Sequence, residues 1–235
     1  MNNSNQTYTP EASGLNRFFT KMYGFMAGAV AVSALVAFLC ASVFPMQVIN
    51  FFAGSMWSML LLFAVQLVMV FAISFKPDRS GLMSASLLFA FAGVEGLFLS
   101  VVLLVYDIGD ISMAFVAASA DFIVMAILGA VTKRDLTRIG TQALAALIAL
   151  IVVSIINIFL QSAMITYFFA FIGVIIFTIM TAWDSQTFKN MYLEYGSQVN
   201  TTSLAVSGAL QLYLDFINLF LQLLSIFSGG KGSKN

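Results

Sequence analysis

The chain contains 235 residues, of which 61% are hydrophobic and only 9% are charged. Soluble globular domains are about 45–50% apolar and about 25% charged, so this composition excludes a soluble enzyme, a disordered chain and a disulfide-rich secreted domain. Ten basic and ten acidic residues give zero net charge, which offers no overall attraction for nucleic acid. The absence of histidine and the single cysteine exclude common zinc sites and an intrachain disulfide. The composition predicts an all-α integral membrane protein.

Seven apolar stretches are each long enough to cross a bilayer, which takes about 20 helical residues. Pro45 ends the first stretch, and short polar segments separate the others. The break at Gln161-Ser162 is the weakest, so one long re-entrant element remains an alternative there. The predicted spans are 22–44, 51–75, 82–106, 111–131, 142–160, 163–188 and 202–228.

The spans divide the chain into a short N-terminal segment, one membrane domain and a C-terminal tail. Residues 1–21 are predicted to form a polar segment, which lacks the features of a signal peptide, followed by a short interfacial helix. Residues 22–228 are predicted to form a seven-helix membrane domain, and residues 229–235 a C-terminal tail.

The basic residues are distributed unevenly between the two sides of the predicted bundle. When the loops are assigned alternately, eight of the ten basic residues fall on the side of the N-terminus. The positive-inside rule therefore predicts a cytoplasmic N-terminus. The two exceptions, Lys231 and Lys234, follow the last span. They leave open a six-span alternative with a half-inserted last segment.

Four carboxylates, Glu95, Asp121, Asp184 and Asp215, fall inside the predicted spans, with no lysine or arginine at similar depth. Charged groups in a membrane are costly and usually face a bundle interior or a water-filled cavity. Asp184 and Asp215 are equally far from the break between the last two spans, so antiparallel neighbours would hold them at one depth. Glu95 and Asp121 are related in the same way about Ile108.

The last span carries one polar face. Gln211, Asp215, Asn218 and Gln222 follow the spacing i, i+4, i+7, i+11, which places them on one side of a helix. We expect this helix at the centre of the bundle. We predict an ion pathway along Gln211, Asn218 and Gln222, joined by Glu95 and Asp121.

Two carboxylates close together in a low-dielectric site share a proton more readily than they ionise twice. The shared proton would form a latch between two helices, and its loss would cause repulsion. A deprotonated pair would also offer oxygen ligands to Ca²⁺, but only as a weak transit site, because Ca²⁺ prefers 6–8 oxygens. The simpler alternative is that the buried acids only join helices by hydrogen bonds. Gln66 and Asn157 are also predicted to make packing hydrogen bonds.

Four segments together resemble the transmembrane Bax inhibitor motif family, and most closely its bacterial members. The segment in the last span is the most specific of them. The segments are EGLFLS at residues 95–100, TKRDL at 132–136, AWDSQ at 182–186 and LYLDFINLF at 212–220.

The resemblance implies a seven-helix bundle with the last helix surrounded by the other six, in a bacterial inner membrane. It also implies a pH-dependent Ca²⁺ leak gated by an aspartate pair, whose positions match Asp184 and Asp215. A basic residue near the end of the second span is associated with the closed latch in this family, and Lys76 or Arg79 would correspond. Asp121 departs from the family pattern, in which a small or apolar residue is more usual.

The leading hypothesis is a channel that is not an enzyme and needs no cofactor. Three other functions are alternatives to it. The leading alternative is a non-transporting regulator that binds and restrains a membrane protease, for which the polar segment 1–13 would matter more than the aspartates. A proton-coupled transporter would normally show internal repeats, and no clear repeat is present. An intramembrane aspartyl protease would carry Tyr-Asp and Gly-x-Gly-Asp segments, which Asp184 and Asp215 do not match.

Overall fold

A computed structural model describes residues 10–54, 56–74 and 80–229, and the regular structure within these ranges is helical. The polar N-terminus before residue 10 and both proposed latch cations, Lys76 and Arg79, lie outside the described residues. The helices of the described part are α1 (Pro10–Val43), α2 (Pro45–Gly54), α3 (Met56–Ser74), α4 (Gly81–Val105), α5 (Ile108–Val131), α6 (Thr137–Leu160), α7 (Ala163–Tyr195) and α8 (Thr201–Phe227).

One predicted boundary in the first third of the chain is wrong. The expected interfacial helix is not a separate element, because α1 runs without a break from Pro10 to Val43. Of the expected second span, residues 51–54 belong to α2 and residues 56–74 to α3, while Ser55 and Phe75 lie outside the described residues. Proline is well suited to the first position of a helix, so a new helix starts at Pro45.

Within the described residues, six helices, α1 and α4 to α8, are long and apolar enough to cross a membrane. The corresponding apolar part of α3, Leu60–Ile73, is shorter, so the seventh crossing stays a prediction. The last segment forms a continuous helix of 27 residues, about 40 Å long, which favours a full crossing over half-insertion.

The weak break between the fifth and sixth predicted spans separates two helices. Gln161 takes a left-handed conformation with φ 49°, which ends α6. The Ser162 side chain accepts a hydrogen bond from the backbone N–H of Ile165 and begins α7. Asn157 binds both Ser162 and Thr166, as predicted for a packing hydrogen bond. The re-entrant alternative is therefore not what this part of the chain forms.

Helix α8 lies in the middle of the bundle. It packs against α1, α3, α4, α5 and α7. About half of its most apolar stretch is buried, against less than a third in every other candidate span. The expectation that all six other spans surround it needs one correction, because α6 packs chiefly against α7 and lies at the periphery.

Candidate functional site

The structure brings Asp184 of α7 and Asp215 of α8 together in the interior of the bundle. Only 5% of Asp184 and 2% of Asp215 is exposed, and their side chains interact with each other. Asp184 also interacts with the Gln211 side chain. Within the described ranges, the Oδ2 atom of each aspartate is buried without a hydrogen-bond partner. The pair therefore has acceptor capacity that the surrounding protein does not use.

No lysine or arginine among the described residues pairs with this site. The basic residue nearest to it in α7, Lys189, instead donates a hydrogen bond of 2.7 Å to the backbone carbonyl of Ala130. Burying two negative charges without a counter-ion is very costly. The geometry therefore suits a pair that holds a proton.

Close contacts with α5 fix the rotation of α7 on both sides of Asp184. Gly129 lies so near the carbonyl of Ala182 that a Cβ atom would collide with that backbone group. The Ser185 hydroxyl donates a hydrogen bond of 2.9 Å to the carbonyl of Ala126 and lies 2.8 Å from the Tyr23 hydroxyl. These contacts occupy one face of α7 and leave Asp184 directed towards α8.

The neighbours of Asp184 also hold α6 and the turn before it. The Gln186 side chain accepts a hydrogen bond of 2.8 Å from the N–H of Leu136 and donates one of 2.9 Å to the carbonyl of Arg134. The Trp183 ring packs directly on Gly140. The AWDSQ segment thus positions the helix as well as supplying the acid, a role that the sequence alone did not assign to Trp183, Ser185 and Gln186.

The predicted polar face of α8 runs along the α7–α8 interface. Gln211 interacts with the α7 aspartate at one end, and the Gln222 amide lies against Gly173 of α7 at the other. Between them, Asn218 donates a hydrogen bond of 2.8 Å to a backbone carbonyl of its own helix. The stripe therefore faces α7, and its role as an ion pathway stays a prediction.

In the second predicted pair of carboxylates, each acid accepts a hydrogen bond from a different partner. Glu95 accepts a hydrogen bond from the Gln66 amide of α3, as predicted for Gln66. Asp121 accepts one of 2.9 Å from the Thr178 hydroxyl of α7. The reason is that α4 and α5 do not pack along each other, since both pack on α8. A role for Glu95 and Asp121 in the pathway stays a prediction.

A serine and a tyrosine that were not identified from the sequence join three helices in the interior of the bundle. The hydroxyl groups of Ser33 in α1 and Tyr213 in α8 are 2.6 Å apart, and both residues are fully buried. Ser33 also donates to the carbonyl of Ala92 in α4 over 2.9 Å. A lone serine in an apolar span was the available signal, but sequence does not reveal its partner.

An apolar cluster closes the bundle on the side of the N-terminus. The rings of Phe18 and Tyr192 are stacked with centroids 4.6 Å apart. Met22 is fully buried. Met22 and Phe188 occupy the space that a Cβ atom at position 208 would need, so only glycine fits at this position.

The described residues do not include a cluster of three or more acidic, histidine or cysteine side chains that could hold a metal ion. Asp184, Asp215 and Gln211 offer fewer oxygens than the 6–8 that Ca²⁺ prefers. Such a site fits a cation in transit, with water completing its coordination, better than a stored one.

Comparisons with known proteins relate this chain to a family and to bacterial membrane proteins. The model of the family described as "inhibitor of apoptosis-promoting Bax1" matches residues 15–233. The Lactococcus lactis protein YrjE is 34% identical over 235 residues and both chains are covered fully. A Streptococcus pyogenes membrane protein is 34% identical over 96% of this chain and 98% of its own. The Escherichia coli inner membrane protein YbhL is 33% identical over 92% of each chain.

Proposed function

The chain belongs to the family of inhibitors of apoptosis-promoting Bax1, the Bax inhibitor motif family, and on that premise we propose that it is a pH-gated Ca²⁺ leak channel. We place this multi-pass protein in the bacterial inner membrane with its N-terminus in the cytoplasm. The observation that carries the proposal is the buried contact of Asp184 with Asp215, without a counter-ion among the described residues.

The gate works through one proton. With the proton shared, the two carboxylates are joined by a hydrogen bond that holds α7 against α8. When the proton is lost, two like charges face each other at low dielectric and repel. The same loss provides the oxygens that a cation needs, so the flux of Ca²⁺ rises as the pH rises through the titration of the pair.

The proposed function is transport without catalysis. Ca²⁺ is the cargo, protons set the gate, and no resident cofactor is required. Asp135, in the α5–α6 turn, is not the sensor. Hydrogen bonds from Thr137 lower the pKa of the Asp135 carboxyl, so this group stays ionised throughout the neutral range.

Uptake of Ca²⁺ into proteoliposomes tests the proposal. We expect the wild-type chain to pass Ca²⁺ faster than empty liposomes at about pH 8 and to lose most of this flux at about pH 6, the window expected for a buried carboxylate pair. A chain without residues 2–9 should keep the flux, because the gate lies between α7 and α8.

Two results would count against the channel. Folded wild-type protein that passes no more Ca²⁺ than empty liposomes at any pH would favour the regulator that restrains a membrane protease. Flux that is the same at both pH values would leave a leak but remove the proton gate.

A further inference from the structure

A cavity of about 640 Å³ opens at the end of the bundle opposite to the N-terminus. It lies beside the α6–α7 turn, between the last turns of α4, α6 and α8 and the first turns of α7. About half of its lining residues are polar, although the chain is 61% hydrophobic. The polar lining includes Tyr106, Ser154, Asn157, Thr166, Gln222 and Ser225.

A second cavity of about 550 Å³, between α1 and α5, provides a comparison within the same molecule. Its walls are almost wholly apolar, as a groove that faces lipid tails requires. Cavities with polar walls hold water that satisfies those groups, whereas apolar cavities stay dry. The cavity at the α6–α7 turn, which we call the distal vestibule, has the chemistry of a hydrated space.

The packing of α6 explains why this space exists. Helix α6 packs chiefly against α7 and is not held against α8 along its length. Asn157 ties the end of α6 to the turn through Ser162 and to α7 through Thr166. The rim is therefore built from hydrogen bonds, while the space between α6 and α8 stays open.

Gln222 connects the distal vestibule to the polar face of α8. Its amide lies against Gly173 and makes no hydrogen bond to the described part of the chain, so water or a hydrated ion is left to satisfy it. Asp215 is seven residues away on the same face, about 10 Å along the helix. Asn218 lies between them, so polar groups continue from the vestibule to the aspartate pair.

We propose that the distal vestibule is a binding site for a hydrated divalent cation and the outer access route to Asp184 and Asp215. This inference rests on the proposed function. Its lining offers amide and hydroxyl oxygens but no carboxylate. Such neutral ligands hold a cation through its own water shell, which keeps binding weak and lets the ion proceed.

Thiol labelling tests the vestibule in a chain whose one cysteine has been removed by Cys40→Ser. Ser154→Cys places a thiol on the vestibule side of α6. Ile155→Cys places a thiol at the next position, on the exposed face of α6, where the native side chain is 52% exposed. Each variant is labelled in intact spheroplasts with a cationic, membrane-impermeant methanethiosulfonate, then purified and reconstituted. Its Ca²⁺ flux is compared with that of the same variant without label.

We expect the cationic reagent to label Ser154→Cys and to lower its flux by roughly tenfold, because a fixed positive charge in the vestibule repels a divalent cation. Ile155→Cys should resist this reagent, react with a membrane-permeant maleimide and keep its flux.

Two outcomes would overturn the proposed role of the distal vestibule and leave the proposed function standing. One is labelling of Ser154→Cys only by the permeant maleimide, which would mean that lipid fills the cavity. The other is full labelling by the cationic reagent with unchanged flux, which would mean that the ion takes another route. Absence of flux in the unlabelled wild type is a different result, since it overturns the proposed function and this inference with it.

Discussion

Replacing Asp215 with asparagine is expected to abolish the pH response of Ca²⁺ flux. An asparagine amide has the shape of the acid but no proton to lose, and it can donate permanently to Asp184. The latch should stay closed, and flux at about pH 8 should fall roughly 10- to 100-fold, the equivalent of one charge-assisted hydrogen bond. Proteoliposome uptake across the pH range measures the effect.

Two further variants complete this test. Asp184→Asn should give the same pH-independent, low flux, because the two acids act as one unit. Asp135→Asn is the matched control, since that exposed aspartate stays ionised and an asparagine oxygen can still accept the hydrogen bond from the N–H of Thr137. If Asp215→Asn retained the wild-type dependence on pH, the pair would be reduced to a structural contact.

The second large effect concerns stability. Gly129→Ala should destabilise the chain by about 1–3 kcal/mol, the usual cost of overpacking, because the new methyl group collides with the backbone of Ala182. The expected readout is a lower midpoint of thermal unfolding in detergent. Displacement of α7 would also move Asp184, so the flux should respond less steeply to pH.

Gly93→Ala provides the matched control for this substitution. Gly93 also lies inside a membrane helix, but a Cβ atom there would have no neighbour within 4 Å. The alanine should leave the unfolding midpoint unchanged or raise it slightly, because alanine favours helix more than glycine does. Equal losses from Gly93→Ala and Gly129→Ala would contradict the close α5–α7 contact.

The central pair of acids could be predicted from the sequence because helix geometry converts residue counts into depth. Asp184 and Asp215 are equally far from a short turn, and α7 and α8, the helices that this turn joins, pack along each other. The spacing of Gln211, Asn218 and Gln222 likewise fixed one face of α8. These relations depend only on the rise and period of a helix.

Which helices pack along each other could not be predicted from such residue counts. Glu95 and Asp121 meet the same condition of equal depth, yet α4 and α5 pack on α8 and not along each other. For a similar reason, the sequence does not show which glycines allow two helices to approach each other closely. Gly129 and Gly93 look alike in sequence, and only the position of α7 distinguishes them.

An infrared titration of the buried carboxyl groups in reconstituted protein tests the central claim most directly. The stretching band of a protonated carboxyl should appear at acidic pH, disappear over the pH range in which Ca²⁺ flux rises, and be absent or displaced in Asp215→Asn. A band that titrates outside that range, or that is unchanged by Asp215→Asn, would contradict a gate controlled by the proton of this pair.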